Sequence, residues 1–178
     1  MWTAACTRRE RDVRRLVLLR HAKSDYPPGI PDHDRPLADR GRRDAPAAGE
    51  WIAGHVGDVD RVLVSSAARA QQTWALVAPH VSVLDSVITE PGIYEASTAE
   101  LVDIVGSLPD TATTVVLVGH NPGFEDLAAR LAIDGDPDAI GRMAVKYPTS
   151  GIAVLDAEGT WGDLVRGARL SAFAVPRG

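Results

Sequence analysis

Two histidines, each placed directly after an apolar run, are the residues in this sequence best suited to chemistry. Arg20 and His21 follow the apolar residues 16–19, and His120 follows the apolar residues 115–118 and Gly119. A short apolar run that ends in polar residues is typical of a strand buried on both faces. Because ligands bind outside the carboxyl ends of strands in open α/β sheets, we expect both imidazoles at one chemically active edge.

A third predicted strand brings another arginine to this edge. Residues 61–66 form the strand, and Arg69 follows on the first turns of a predicted helix. Guanidinium groups are planar, permanently charged donors that match phosphoryl oxygens, and phosphoryl transfer is catalysed chiefly by positioning and charge stabilisation. A neutral imidazole close to two such groups can attack phosphorus. This chemistry requires no metal and no cofactor.

Six segments together resemble the histidine phosphatase (phosphoglycerate-mutase-like) superfamily, and within it the small SixA-like phosphohistidine phosphatases. The resemblance extends over roughly residues 14–157, nearly the whole chain. The segments are Arg20-His21-Ala22, Arg35-Pro36-Leu37 with Arg40-Gly41, Ser65 to Thr73 with Arg69, Tyr94-Glu95-Ala96, Gly119-His120-Asn121-Pro122-Gly123 and Pro148-Thr149-Ser150-Gly151.

The resemblance implies a role for each of the four central residues. His21 corresponds to the nucleophile that becomes phosphorylated, and Arg20, Arg69 and His120 correspond to the rest of the phosphate pocket. Larger relatives carry a lid between the strand that precedes Arg69 and the strand that precedes His120, and this sequence has no large insertion there. An open site is therefore expected, which favours phosphohistidine on a protein as the substrate.

The resemblance is less specific about the proton donor and about the other phosphate ligands. Glu95 occupies the region where relatives place an acidic residue, and Asp25 is an alternative donor on the opposite wall. The further candidates for binding substrate are Lys23, Ser24, Asn121, Thr149 and Ser150. The backbone at the start of the helix after Asn121 could add donors, since helix N-termini bind anions.

The remaining patterns predict an α/β protein whose strands and helices alternate. Helical spacing covers residues 39–56, with Pro46 either kinking the helix or marking its first turn, and also residues 68–79 and 99–108 and a stretch from Pro122. Residues 81–88 are predicted to form a strand, residues 134–138 a surface turn, and residues 151–155 and 161–165 a closing antiparallel hairpin. Alternation with short links indicates a three-layer sandwich, a mostly parallel doubly wound sheet with helices on both faces.

Composition limits the class of protein and its partners. A chain of 178 residues suits one domain, here residues 14–178, with residues 1–13 as a flexible extension. The net charge of -5 argues against a nucleic-acid surface, because proteins that bind the phosphate backbone are normally basic. A single cysteine, Cys6, and the lack of an apolar leader or membrane-spanning run indicate a cytoplasmic protein without membrane partners. The oligomeric state is left open.

The sequence therefore predicts a metal-independent phosphatase that forms a phosphohistidine intermediate. A small-molecule phosphomonoester phosphatase and a non-catalytic phosphate-binding module are the alternatives, and a mutase is disfavoured because it needs a cover against water. The run Asp32-His33-Asp34 is interpreted as loop, since consecutive residues cannot all point at one metal ion.

Overall fold

The computed structural model describes residues 13–178, whose strands form a seven-stranded mixed sheet. The strands are β1 (Val13–Arg20), β2 (Val59–Ser65), β3 (Val83–Glu90), β4 (Thr114–Gly119), β5 (Ala132–Gly135), β6 (Ile152–Glu158) and β7 (Ala168–Ala174). Their order across the sheet is β3-β2-β4-β1-β6-β7-β5. The pairs β3–β2, β2–β4, β4–β1 and β5–β7 are parallel, and β1–β6 and β6–β7 are antiparallel. The predicted mostly parallel sheet is confirmed.

Helices cover both faces of this sheet. They are α1 (Asp39–His55), α2 (Ala68–Val77), α3 (Thr98–Gly106), α4 (Gly123–Leu131), α5 (Pro137–Val145) and α6 (Trp161–Leu164), with short 3-10 turns at Asp32–Asp34, Ala78–His80 and Pro91–Ile93. Alternate side chains of a strand point to opposite faces. Leu18 of β1 accordingly packs in one core with Phe124, while Leu19 packs in the other with Ile52. The predicted three-layer arrangement is confirmed.

The predicted closing hairpin is wrong in its second strand. Residues Trp161–Leu164 form the short helix α6, and β7 is the antiparallel partner of β6. A capping box starts α6: the Thr160 hydroxyl accepts from Asp163 N, and the Asp163 carboxylate accepts from Thr160 N. A helix of four residues is too short to show a helical period, so its apolar residues were compatible with a strand.

The predicted surface turn at residues 134–138 is also wrong. The segment contains the end of the edge strand β5 and the start of α5. Asp136 is the N-cap of α5, where its side chain accepts hydrogen bonds from Asp138 N and Ala139 N. The Asp-Pro pair therefore opens a helix, because proline tolerates the first helical position and aspartate satisfies the free backbone donors there.

Element boundaries differ from the predictions by a few residues. Helix α1 runs continuously through Pro46, and β3 begins and ends two residues later than predicted. Strand β1 already includes Val13, the last residue assigned to the extension. Residues 1–12 lie outside the described residues, so the flexible extension and the single-domain assignment stay predictions.

A close approach between α1 and the loop after β1 explains one glycine. A Cβ atom on Gly41 would lie 2.9 Å from the backbone nitrogen of Lys23 and closer still to its carbonyl oxygen. We expect Gly41→Ala to lower the free energy of unfolding by about 1–3 kcal/mol, because two backbone segments must separate. Chemical denaturation measures this loss.

The same helix offers a matched control at Gly54. A Cβ atom there would meet no heavy atom within 4 Å. Gly54→Ala should therefore gain about 0.5–1 kcal/mol from helix propensity alone. A Gly41→Ala variant as stable as Gly54→Ala would contradict the proposed close approach.

Candidate active site

A cavity of about 640 Å³ opens at the edge where β1 and β4 end. It is lined mainly by polar side chains from the segments predicted from the sequence, together with Asp32 from the 3-10 turn Asp32–Asp34. The predicted site residues among its lining are Arg20, His21, Lys23, Ser24, Arg69, Glu95, His120, Asn121 and Thr149. The structure thus brings most of the candidate residues together.

The two imidazoles are neighbours because their strands are neighbours. Strands β1 and β4 pair in parallel with Arg20 opposite Gly119, so the next residue of each strand is a histidine at the same height. The ring centroids of His21 and His120 are 5.1 Å apart. His21 N donates to Gly119 O at 2.9 Å, which ties the two strand ends together.

A backbone carbonyl fixes the tautomer of His21. The Nδ1 atom lies 2.7 Å from Ala22 O, and since a carbonyl can only accept, Nδ1 carries the proton. The lone pair of the neutral ring is therefore on Nε2. Thr73 of α2 holds this backbone in place, because its hydroxyl accepts from Ala22 N at 3.0 Å and donates to Arg69 O at 2.6 Å.

A buried serine contacts the second imidazole. Ser65, the last residue of β2, is fully buried, and its hydroxyl lies 2.7 Å from Nε2 of His120. The ring of Tyr94 meets His120 edge-on, with centroids 5.7 Å apart. Ser65 and Tyr94 therefore fix the orientation of the His120 ring.

Arg20 is held from behind by the backbone of a distant loop. Its Nη1 atom donates to Tyr147 O at 2.7 Å, and Asn121 Nδ2 donates to the same oxygen at 3.0 Å and to Glu125 Oε2 at 2.8 Å. The Tyr147 ring is buried, and its hydroxyl donates to Leu18 O at 2.6 Å. The sequence pattern indicates no role for Tyr147, because it lies far along the chain from Arg20.

The two candidate proton donors occupy different places. Glu95 is exposed on the cavity wall, with a left-handed backbone (φ 56°). Asp25 does not line the cavity, and its carboxylate accepts from Tyr26 N at 2.8 Å. Of the two, only Glu95 is in the lining.

Ser150 is the predicted binding residue that the structure does not bring to the cavity. It is fully buried, and its backbone N–H lies 3.2 Å from Arg20 O and 3.3 Å from His21 O. It therefore holds the end of β1 rather than the rim of the site, which corrects its predicted role as a substrate ligand. Ser24 lines the cavity, and its hydroxyl accepts from Arg35 Nη2 at 2.7 Å.

Burial keeps both imidazoles uncharged. Desolvation, with smaller contributions from the neighbouring His120, Arg69 and Arg20 and against the opposing bond to Ala22 O, lowers the pKa of His21 to about 3. Desolvation and Arg69 lower the pKa of His120 to about 4, with Asp32 acting in the opposite direction. Both rings are neutral at neutral pH, as a histidine nucleophile requires.

These shifts predict how stability depends on pH. Between the ordinary pKa of 6.5 and the folded values, the unfolded chain binds protons on His21 and His120 that the folded chain does not bind. The free energy of unfolding should therefore be largest above pH 6.5 and fall as the pH decreases toward 5. Thermal unfolding of His21→Asn/His120→Asn should show a weaker decrease between pH 7 and pH 5. A slope that is unchanged by the double substitution would contradict this attribution.

The described residues offer no cluster of three or more histidine, cysteine, aspartate or glutamate side chains placed to hold a metal ion. His33, from the run discounted as a metal site, contacts Ser66 Oγ at 2.9 Å and Asp34 Oδ1 at 3.1 Å instead. Over the same part of the chain, every helix is too short or too polar to cross a membrane.

Comparison with known proteins identifies one family. The model of the histidine phosphatase superfamily (branch 1) matches residues 16–105. Uncharacterized protein Rv1276c of Mycobacterium tuberculosis (strain ATCC 25618 / H37Rv) is 44% identical over 162 residues, which cover 89% of this chain and 100% of that protein.

Solved structures of similar size show the same fold. A relative from Nakamurella multipartitia, designated a putative phosphohistidine phosphatase SixA, superposes with a TM-score of 0.80 at 35% identity, over 92% of this chain and 96% of that one. The protein of that designation from Agrobacterium tumefaciens gives a TM-score of 0.75 at 31% identity, over 92% of this chain and 98% of that one.

Proposed function

We propose, from the premise that this chain belongs to the histidine phosphatase superfamily, that it is a phosphatase acting through a phosphohistidine enzyme intermediate, with phosphohistidine on a protein as its substrate. One observation carries the proposal. A neutral His21 with its lone pair on Nε2 lies beside His120 in a cavity that Arg20 and Arg69 also line. These are a nucleophile and the charges that a transferred phosphoryl group needs.

The proposed reaction has two steps. His21 Nε2 attacks phosphorus, the bond from phosphorus to the leaving nitrogen or oxygen breaks, and the leaving group takes a proton. Water then attacks the phosphorylated His21, which releases inorganic phosphate and restores the free imidazole. Arg20, Arg69 and His120 stabilise the phosphoryl oxygens in both steps. We assign the proton transfers to Glu95, the candidate acid that lines the cavity.

Four other lining residues are assigned to substrate binding. Lys23 is exposed at the cavity and offers an ammonium group, while Thr149 and Ser24 offer hydroxyl groups and Asn121 lies at the start of α4. Because the chain itself supplies the positive charge at the site, we expect turnover in the presence of a metal chelator.

Phosphohistidine on a protein is supported as the substrate by similarity to two relatives and by the lack of a large insertion that could cover the site. Two relatives above 30% identity are designated putative phosphohistidine phosphatases, and the stretch between β2 and β4 holds α2, β3 and α3 without a large insertion. A small-molecule phosphomonoester is the second candidate, because a cavity of about 640 Å³ is of the size that encloses small ligands.

The test compares substrates at equal concentration with a chelator present throughout. Release of phosphate from a histidine-phosphorylated protein should exceed release from sugar and nucleotide phosphates and from p-nitrophenyl phosphate. A preference for one small phosphate would move the assignment to the second candidate. Binding of inorganic phosphate without release from any substrate would identify a non-catalytic module.

A further inference from the structure

The 3-10 turn Asp32–Asp34 places a carboxylate among the polar groups of the cavity. Asp32 Oδ2 accepts from Arg69 Nη2 at 3.0 Å and from the Tyr94 hydroxyl at 2.9 Å, while Oδ1 accepts from Arg35 Nη1 at 2.7 Å. Its carbonyl oxygen accepts from Arg69 Nη1 at 2.6 Å. One residue thus contacts three side chains of the cavity lining.

These contacts determine where the Arg69 guanidinium group lies. Both η nitrogens donate to Asp32, one to the main chain and one to the side chain, so rotation about the end of the arginine breaks at least one bond. A guanidinium group has five N–H donors, and three remain for other partners. Asp32 therefore orients the group and leaves donors free for a phosphoryl oxygen.

The turn that carries Asp32 is itself anchored on both sides. His33 lies 2.9 Å from Ser66 Oγ and meets the Tyr94 ring edge-on at 4.8 Å. Arg35, directly after the turn, donates to Ser24 Oγ and to Asp25 O at 2.9 Å. The carboxylate is consequently held at a fixed position, although half of its side-chain surface is exposed.

The Asp32 carboxyl group is ionised at neutral pH, which keeps its hydrogen bonds to Arg35, Tyr94 and Arg69 in place. The Arg35 hydrogen bond, followed by those of Tyr94 and Arg69, holds the pKa of the Asp32 carboxyl well below its usual range against the cost of desolvation. Desolvation and the bond to Asp32 raise the pKa of Tyr94 to about 12, so its hydroxyl stays a donor. The charge-assisted bonds to both arginines therefore persist at neutral pH.

We propose that Asp32 is a positioning residue of the phosphatase, which holds the Arg69 guanidinium group in the geometry that stabilises the transferred phosphoryl group. The inference rests on the proposed function. It adds Asp32 to the residues of the site, although the sequence pattern indicates only a loop there. It assigns Asp32 no contact with the reacting atoms. The proposal requires that the effect of Asp32 on catalysis pass through Arg69 rather than through Arg35 or Tyr94.

A double-mutant cycle between Asp32 and Arg69 tests this dependence. Asp32→Asn removes the charge at nearly constant shape, and we expect kcat to fall about tenfold or more with a smaller change in KM, since small misplacements of catalytic groups are costly. In the Arg69→Ala background, Asp32→Asn should cause no further loss. Asp32→Glu should recover part of the activity. Equal losses in both backgrounds, or full activity of Asp32→Asn, would overturn the proposal.

The neighbouring Asp34 provides a matched control on the same turn. Its carboxylate contacts only His33 among the hydrogen bonds found in residues 13–178. Asp34→Asn should retain kcat within about twofold, as expected for a surface substitution. Thermal unfolding of each variant shows whether a loss of activity comes from a destabilised fold or from a displaced Arg69 side chain.

Binding of tungstate, an inert phosphate mimic, keeps the test independent of turnover. If the wild type has no activity, the proposed function fails. Calorimetric measurement of tungstate binding by the same variants still tests whether Asp32 positions Arg69. The proposal is supported if Asp32→Asn weakens tungstate binding in the wild-type background and has no effect on binding in the Arg69→Ala background. Tighter binding by Asp32→Asn would show that Asp32 competes with the anion for Arg69 and would overturn it.

Discussion

The His21→Ala variant is expected to lose at least about a thousandfold in kcat toward p-nitrophenyl phosphate, because the first step of the proposed reaction has no other nucleophile. The His21 ring is held by Ala22 O with its free lone pair on Nε2, so no neighbouring group can replace it without a rearrangement. Steady-state rates with a chelator present measure the loss. Acid-labile label from a phosphorylated substrate should appear on the wild type and be absent from His21→Ala.

His55 provides the control for this prediction. It ends α1, and its exposed ring stacks on Trp51 with centroids 4.4 Å apart, outside the cavity lining. His55→Ala should keep kcat within about twofold of the wild type. If His21→Ala still became phosphorylated and turned over, the label would have to be on another residue. The neighbouring His120, 5.1 Å away, would then be the nucleophile, and the assignment of His21 would be refuted.

The centre of the candidate site could be predicted because it depends on strand order and register. An apolar run followed by Arg20 and His21, and another followed by His120, each indicate a strand with a polar end. Parallel pairing of these strands is enough to bring the imidazoles together. Local sequence and one rule of α/β topology therefore define this part of the site.

The supporting residues could not be predicted in the same way. Tyr147 reaches Arg20 through its carbonyl oxygen, and Ser65 reaches His120 from a different strand. Backbone carbonyls carry no sequence signature, and a serine at a strand end is common in loops and turns. Local sequence likewise cannot indicate the contact of Asp32 with Arg69, because it spans 37 positions of the chain.

The fold was least predictable where elements are short. Helix α6 has four residues and β5 has four, so neither shows a hydrophobic period. Tertiary packing decides their conformation. Trp161 illustrates this, because its place in a buried cluster, rather than its local sequence, determines that residues 161–164 form a helical turn against the sheet.

Trp161→Ala is expected to be the most destabilising single substitution proposed. The indole is 1% exposed and lies in the core cluster that also contains Leu164 and Leu108. Its Nε1 donates to Ala112 O at 3.0 Å. Truncation leaves a large cavity and an unpaired carbonyl, and should lower the free energy of unfolding by about 3–5 kcal/mol. For a chain of this length the thermal midpoint should fall by roughly 6–20 °C.

Two other substitutions separate the contributions of volume and hydrogen bonding. Trp161→Phe keeps an aromatic ring in the core but leaves Ala112 O without its donor, so it should lose about 1–3 kcal/mol. Trp51→Ala removes a half-buried indole that packs against the other core cluster and stacks on the exposed His55, and should lose less than Trp161→Ala because water already reaches part of its ring. Denaturant titrations should show Trp161→Ala to be the least stable of the three variants. If Trp161→Ala were no less stable than Trp51→Ala, α6 could not be a packed part of the core, and its assignment as a helix against the sheet would have to be abandoned.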